Sequence, residues 1–213
     1  MKLVLMDVDG TLVRGTSCEL LFLPYLARRR LFGPRQLAAF GWFAVRWFLR
    51  YGPDVLKADK AYLAGLPQDR VQRAARDFVG EVLPRRFDPA VLARLKDHLA
   101  AGDRVVLLTG TPDFIARPLA AALGAHDAIA AVCAARSGAF TAAPPTAHPF
   151  GKTKLVLAES YCQKSGLELQ YAIAYGDQDD DRHLLERVGR AVAVRPSPGL
   201  RALAARRNWQ TIE

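Results

Sequence analysis

Hydrophobic positions fall into two patterns along the chain. KLVLM (2–6), RVVLLTG (104–110), AIAAVCA (128–134), YAIAYG (171–176) and RAVAV (190–194) are short, nearly continuous apolar runs. Such runs suit strands of a parallel sheet covered on both faces. Between and beside them, apolar residues recur at helical spacing over 89–101, 113–123, 152–165, 180–188 and 198–206. Strand and helix alternating in this way predict an α/β, doubly wound parallel sheet. SGAFT (137–141), with Gly138 inside it, predicts a short hairpin.

The stretch from about 14 to 86 reads differently, as all helix. Leu37, Phe40, Ala44, Trp47 and Phe48 follow one helical period, and further patterns run over 54–64 and 69–80. The predicted layout is therefore a core of residues 1–13 and 87–213, interrupted after its first strand by a helical insertion over 14–86. In open parallel sheets the ligand site lies at the carboxyl ends of the strands.

Composition narrows the class. With 213 residues, 51% hydrophobic and 24% charged, the chain can bury a real core and is neither disordered nor collagen-like. LVLM before Asp7 is too short for a signal-peptide core, and no 18-residue apolar stretch escapes a charge. Cys18, Cys133 and Cys162 lie far apart with no CxxC, which predicts reduced thiols in a cytoplasmic protein, not disulfides or a zinc site. The net charge is +9, and residues 14–50 hold seven arginines against the single acid Glu19. Such a balance suits an anionic partner: nucleic acid, a membrane surface or a phosphorylated small molecule.

Four strand ends carry candidate chemistry. Asp7-Val8-Asp9-Gly10-Thr11 offers two carboxylates, one able to act as nucleophile and the other to handle protons; Asp-Gly is also a common turn. Leu108-Thr109-Gly110-Thr111-Pro112 offers a hydroxyl and free amides for a phosphate; Thr111 with Pro112 also reads as a helix N-cap. Gly151-Lys152-Thr153-Lys154 opens a helix with cations where the dipole disfavours them. Asp177, Asp179, Asp180 and Asp181 crowd four acids into five positions, a hard-oxygen set suited to Mg²⁺ or a cap for the next helix.

Together and in this order, the motifs resemble those of the haloacid-dehalogenase (HAD) superfamily of Mg²⁺-dependent phosphohydrolases. DVDGTL is similar to its first motif, LLTGT to its second, and Lys154 with Gly176-Asp177 to Asp181 to its third and fourth. LAGLP (63–67), the GxFT stretch (138–141) and the spacing from GKTK to AYGD resemble the phosphoserine-phosphatase branch. The resemblance implies a Rossmann-like core with a helical cap inserted after motif one. It implies that Asp7 attacks phosphorus, that Asp9 protonates the leaving alcohol and then activates water, and that Thr109 and Gly110 bind the phosphoryl group. It implies that Lys154 steadies the charge; Lys152 is the alternative, and spacing to Gly166 and Asp177 favours Lys154. Mg²⁺ is expected on Asp7, the Asp9 carbonyl and Asp177, with Asp181 as a further acidic partner and Asp180 near the metal or its water.

Substrate choice falls to the cap. The glutamate with which phosphoserine phosphatases read an amine has Thr16 at its position, and the arginine expected shortly before Leu66-Pro67 to read the substrate carboxylate is not evident; Asp59 and Lys60 are the nearby residues. A small phosphorylated metabolite is expected, with phosphoserine disfavoured and Arg14 and Thr16 as candidate substrate contacts. The alternative is a lipid phosphate of the phosphatidylglycerophosphate kind, met by a basic cap leaning weakly on an anionic membrane through Arg14, Arg28, Arg29, Arg30, Arg46, Arg50, Trp42 and Trp47. Nucleic-acid binding or a silent anion-binding role is disfavoured by the intact acidic set. His98, His126, His148 and His183 receive no role, and oligomeric state is not legible.

Overall fold

A computed structural model describes residues 1–51 and 60–213. In chain order the strands are β1 (Leu3–Met6), β2 (Arg104–Pro112), β3 (Asp127–Ala131), β4 (Ala135–Arg136), β5 (Ala139–Phe140), β6 (Ile173–Gly176), β7 (Arg190–Val194) and β8 (Gln210–Ile212). The helices are α1 (Cys18–Arg28), α2 (Pro34–Tyr51), α3 (Gln68–Glu81), α4 (Pro89–Ala100), α5 (Asp113–Leu123), α6 (Lys152–Ser165), α7 (Arg182–Leu185) and α8 (Pro198–Arg207).

Six strands form one parallel sheet in the order β3-β2-β1-β6-β7-β8. All four β1 residues are buried, because helices cover both faces. Val4 and Met6 enter a core with Val91, Leu95, Phe114 and Leu119. Leu3 and Leu5 enter the opposite one with Ala158, Cys162, Leu184 and Leu200. The period-two alternation of a strand thus serves two apolar layers at once.

The sheet differs from the expected one at an edge. β8 was not predicted: Gln210-Thr211-Ile212 is three residues long with a single aliphatic side chain, and it joins only by pairing with β7. The predicted strand over 171–176 begins later, since Leu169–Tyr171 form a 3-10 turn. The predicted helix over 180–188 shortens to a 3-10 turn over Asp179–Asp181 followed by α7. β4 and β5 form the expected hairpin, with Ser137 and Gly138 at φ 52° and 79° in its two-residue turn.

The chain leaves the sheet after Val13 and returns at Phe87, where these two residues bridge. Asp88 donates its N–H to the Leu12 carbonyl at 2.8 Å beside them. α1 starts at the Ser17 cap and buries Cys18, Phe22 and Leu26, one residue per turn. Phe22 lies 5.1 Å from Phe78 of α3 and 6.0 Å from Phe114 of α5, so α1 and α3 share the core of the sheet. α2 makes its own small cluster around Phe43 and Ala61. The helix expected over 54–64 lies mostly outside the described residues, as do Asp59 and the Arg50 side chain; its end, Ala61–Leu63, is a 3-10 turn. Among the described residues, no helix is long and apolar enough to cross a membrane.

Candidate active site

Register brings the motifs together. Met6 of β1 pairs with Leu107 of β2 on one side and with Tyr175 of β6 on the other. The residues that follow, Asp7, Thr109 and Asp177, therefore emerge side by side where the strand order reverses. They line a cavity of about 530 Å³ that reaches to α1 and α2.

Asp7, Asp177 and Asp181 are buried, with carboxylate oxygens within 4.8 Å of one another. Lys154 Nζ lies 2.7 Å from Asp7 Oδ1 and 2.6 Å from Asp181 Oδ1. Lys152, two residues earlier, is exposed. Asp181 Oδ2 accepts the N–H groups of Asp177 (3.0 Å) and Gln178 (3.2 Å), which closes the turn after β6. Asp177 accepts from Gln178 Nε2 at 2.5 Å and from Thr11 Oγ1 at 3.3 Å.

Three buried acids against one lysine leave negative charge uncompensated. Burial, with repulsion from Asp181 and Asp177 added, raises the Asp7 pKa well above its ordinary value despite Lys154. Burial and Asp181 push Asp177 up to about 6, against the pull of Gln178, Lys154 and Thr11. For Lys154, burial works against the charge, yet Asp181 and Asp7 more than offset it and raise the ammonium's pKa. A hard divalent cation would relieve this cluster, and its all-oxygen donors are the set Mg²⁺ takes. The residues present fit that ion.

Gly10 explains why glycine follows Asp9. Its φ is +83°, and a Cβ there would overlap the Asp177 carboxylate. Asp9 lines the same cavity as the three acids, and its carboxylate is held from two other segments. Oδ1 accepts the Cys18 N–H at 2.7 Å and Oδ2 accepts the Thr111 hydroxyl at 2.6 Å. Thr111 is thus not the N-cap its sequence context suggests: β2 runs through it, and Pro112 caps α5 with no side-chain bond. Thr109 is buried, with its hydroxyl accepting the Thr111 N–H at 3.1 Å, and both Thr109 and Gly110 line the cavity.

Arg14 and Thr16, the expected substrate contacts, are not among the residues lining the cavity. Arg14 lies 3.2 Å from Asp88 and is about half exposed, because the chain turns outward at the Val13–Phe87 bridge. Other residues take the cap side of the cavity: Glu19, Leu20 and Leu23 of α1, Phe40 of α2, then Lys60 and Tyr62. Lys60 is buried and ion-paired with Glu19, whose other oxygen accepts the Tyr62 hydroxyl at 2.8 Å. Burial raises the Glu19 pKa, though Lys60 and Tyr62 pull against it. Nothing in the sequence links Glu19 to positions 60 and 62; only the fold does. His148, given no role above, lines the opposite wall with Pro149 and Phe150, close to Gly110. Asp180 and Gln178 line it too.

Arg195 was also missed. It sits at φ 38° after β7, pairs with Asp88 and donates to the carbonyls of Gly10 (2.9 Å) and Thr11 (3.1 Å). It thereby clamps the turn that carries Asp7 and Asp9.

Comparison with known proteins identifies the family and the fold. The family model for haloacid dehalogenase-like hydrolases matches residues 4–186. A phosphoserine phosphatase of Mycobacterium tuberculosis is 30% identical over 210 residues, covering 96% of this chain and 68% of its own. A crystal structure from Bordetella pertussis Tohama I, of a protein with unknown function, superposes with a TM-score of 0.82 at 30% identity, covering 99% of this chain and 97% of that one. A substrate-bound phosphoserine phosphatase shares the fold, with a TM-score of 0.64 at 20% identity over 100% of this chain and 92% of its own. The chain belongs to the haloacid dehalogenase-like hydrolase family and is similar within it to phosphoserine phosphatases.

Proposed function

We propose that this protein hydrolyses phosphomonoesters through an aspartyl-phosphate on Asp7. The observation that carries this reading is Lys154 Nζ seated between Asp7 and Asp181, in a cavity that reaches to α1 and α2. A carboxylate nucleophile and a phosphate dianion repel each other, so fixed positive charge there is what the chemistry needs. Asp7, Asp177 and Asp181, with the Asp9 carbonyl, would hold Mg²⁺, which when bound neutralises phosphoryl charge.

The protein's own groups account for the bonds. An Asp7 oxygen attacks phosphorus while the phosphorus–alcohol bond breaks. The departing alkoxide takes a proton from Asp9, which the Cys18 N–H and the Thr111 hydroxyl hold in place. Water then attacks the phosphoryl group, Asp9 takes its proton, and inorganic phosphate leaves with Asp7 restored. The Thr109 hydroxyl and the Gly110 amide donate to the phosphoryl oxygens, and Lys154 holds Asp7 throughout.

The substrate is a small phosphorylated metabolite. Phosphoserine is disfavoured because Glu19, the carboxylate on the cap side, already has both oxygens engaged by Lys60 and Tyr62. An incoming ammonium would have to compete with Lys60 for that carboxylate. A second reading, a lipid phosphate, is favoured by the apolar wall of Leu20, Leu23, Phe40 and Phe150. The buried, unpaired thiols of Cys18, Cys133 and Cys162 fit a reducing cytoplasm.

Steady-state hydrolysis of a phosphomonoester panel with Mg²⁺ tests the reading. The panel holds p-nitrophenyl phosphate, phosphoserine, sugar phosphates and phosphatidylglycerophosphate. Activity on the panel that Asp7→Asn lowers at least about a thousandfold is expected. A wild-type protein inert on every ester sinks it, and selective hydrolysis of phosphoserine reverses the substrate assignment.

A further inference from the structure

The outer face of α2 is apolar and open to solvent. Leu37, Trp42, Val45 and Phe48 are 61%, 65%, 71% and 55% exposed. Ala38 and Gly41 lie exposed between them. At 3.6 residues per turn these positions sweep an arc of about 140° without a charge. Arg35 and Arg46, both exposed, follow at its edge beside Trp42. The opposite face is already in use: Phe43 is buried with Ala39, Ala44 and Trp47, and Phe40 lines the cavity. A surface helix ordinarily turns charge to solvent opposite its buried stripe. α2 instead carries apolar side chains on both faces, and an open apolar patch of this kind marks an interaction surface.

We propose that α2 lies in the interface of an anionic lipid bilayer with this outer face inserted. Charge selects the occupant. α2 has two described arginines at the arc's edge and no acid along its length. Exposed Arg28 and Arg30 stand at the turn that leads into it. Trp42 sits between the aliphatic arc and the arginines, where an amphipathic ring meets the headgroup level. A second copy of the chain fits less well, because a two-fold contact through α2 would set these arginines against their own copies with no acid to answer them. The helix lies on the membrane and does not span it, in keeping with its length and polarity. Docking is independent of which phosphomonoester is hydrolysed.

Co-sedimentation of the full chain with vesicles tests the proposal, using phosphatidylcholine alone and phosphatidylcholine with phosphatidylglycerol. Binding is expected only where phosphatidylglycerol is present, and it should weaken as salt rises. Val45→Asp should lower it at least about tenfold, Trp42→Ser should do the same in part, and Arg35→Glu with Arg46→Glu should abolish the preference for anionic vesicles. Hydrolysis of p-nitrophenyl phosphate, or circular dichroism if the protein is inert, shows that each variant is folded. No sedimentation with anionic vesicles at low salt overturns the proposal, as does binding that survives Val45→Asp in a folded protein. A dimer in solution that Val45→Asp dissolves assigns the face to a second copy and overturns it too.

Discussion

Asp9 accepts the backbone N–H of Cys18 at 2.7 Å, so the first turn of α1 is hydrogen-bonded to a carboxylate of the turn after β1. The Thr111 hydroxyl fills the other oxygen at 2.6 Å. Between them they fix the plane of the group proposed to move protons, from two segments about a hundred residues apart in sequence.

Thr111→Val keeps the shape of the side chain and removes that hydroxyl. Thr111 is a positioning residue, so kcat on p-nitrophenyl phosphate is expected to fall about 10-fold while KM changes little. The kcat–pH profile should move as well, and Thr111→Ser should restore both. An unchanged profile would show that Asp9 does not depend on this bond.

Lys154→Met strands Asp7 and Asp181 in a buried site without their cation. Removing one partner of a buried pair costs about 3–5 kcal/mol, which urea unfolding of the metal-free protein should register. Excess Mg²⁺ should recover part of the loss. Lys152→Met, at an exposed position, should unfold like the wild type.

Metal and protons compete for the same carboxylates. In the metal-free fold Asp177 keeps its proton up to about pH 6, whereas an unfolded aspartate loses it near pH 4. The folded state therefore binds more protons between these values. Stability from this group is complete below the unfolded pKa and is lost as pH rises through the folded one. Mg²⁺ binds the ionised form, so it should raise Tm more at about pH 7.5 than at about pH 5. Asp177→Asn should flatten the difference in thermal unfolding scans.

Gly10→Ala puts a Cβ into the Asp177 carboxylate at a φ of +83°. Strain of about 1–2 kcal/mol is expected in chemical denaturation. Mg²⁺ affinity, followed by calorimetry, should drop about 10-fold or more because Asp177 must move. Gly138→Ala, also at positive φ (79°) but in open space, should show the strain without the metal effect.

The parallel core was legible because its signal is local. Runs such as LVLM and RVVLLTG are apolar throughout, and that pattern has few other uses in a folded chain. Asp7, Asp9, Thr109, Lys154, Asp177 and Asp181 stood out because each follows such a run or opens the next helix. β8 was not legible, since Gln210-Thr211-Ile212 has no apolar pattern and exists through β7 alone. Arg14 and Thr16 were misplaced as well. Thr16 stands at the position of the family's substrate-reading glutamate, but neither it nor Arg14 lines the cavity, and Arg14 pairs with Asp88 beside the Val13–Phe87 bridge.

The sequence by itself determined the layered sheet, the helical interruption and the acids at the strand ends, because hydrophobic period and turn chemistry act over a few residues. Only the tertiary structure decided that Lys154 sits between Asp7 and Asp181, that Thr111 serves Asp9, and that Glu19 meets Lys60 and Tyr62. It also decided which side of α2 faces water. Periodicity shows that a helix has apolar faces, but which of them is covered depends on what the rest of the chain brings against it.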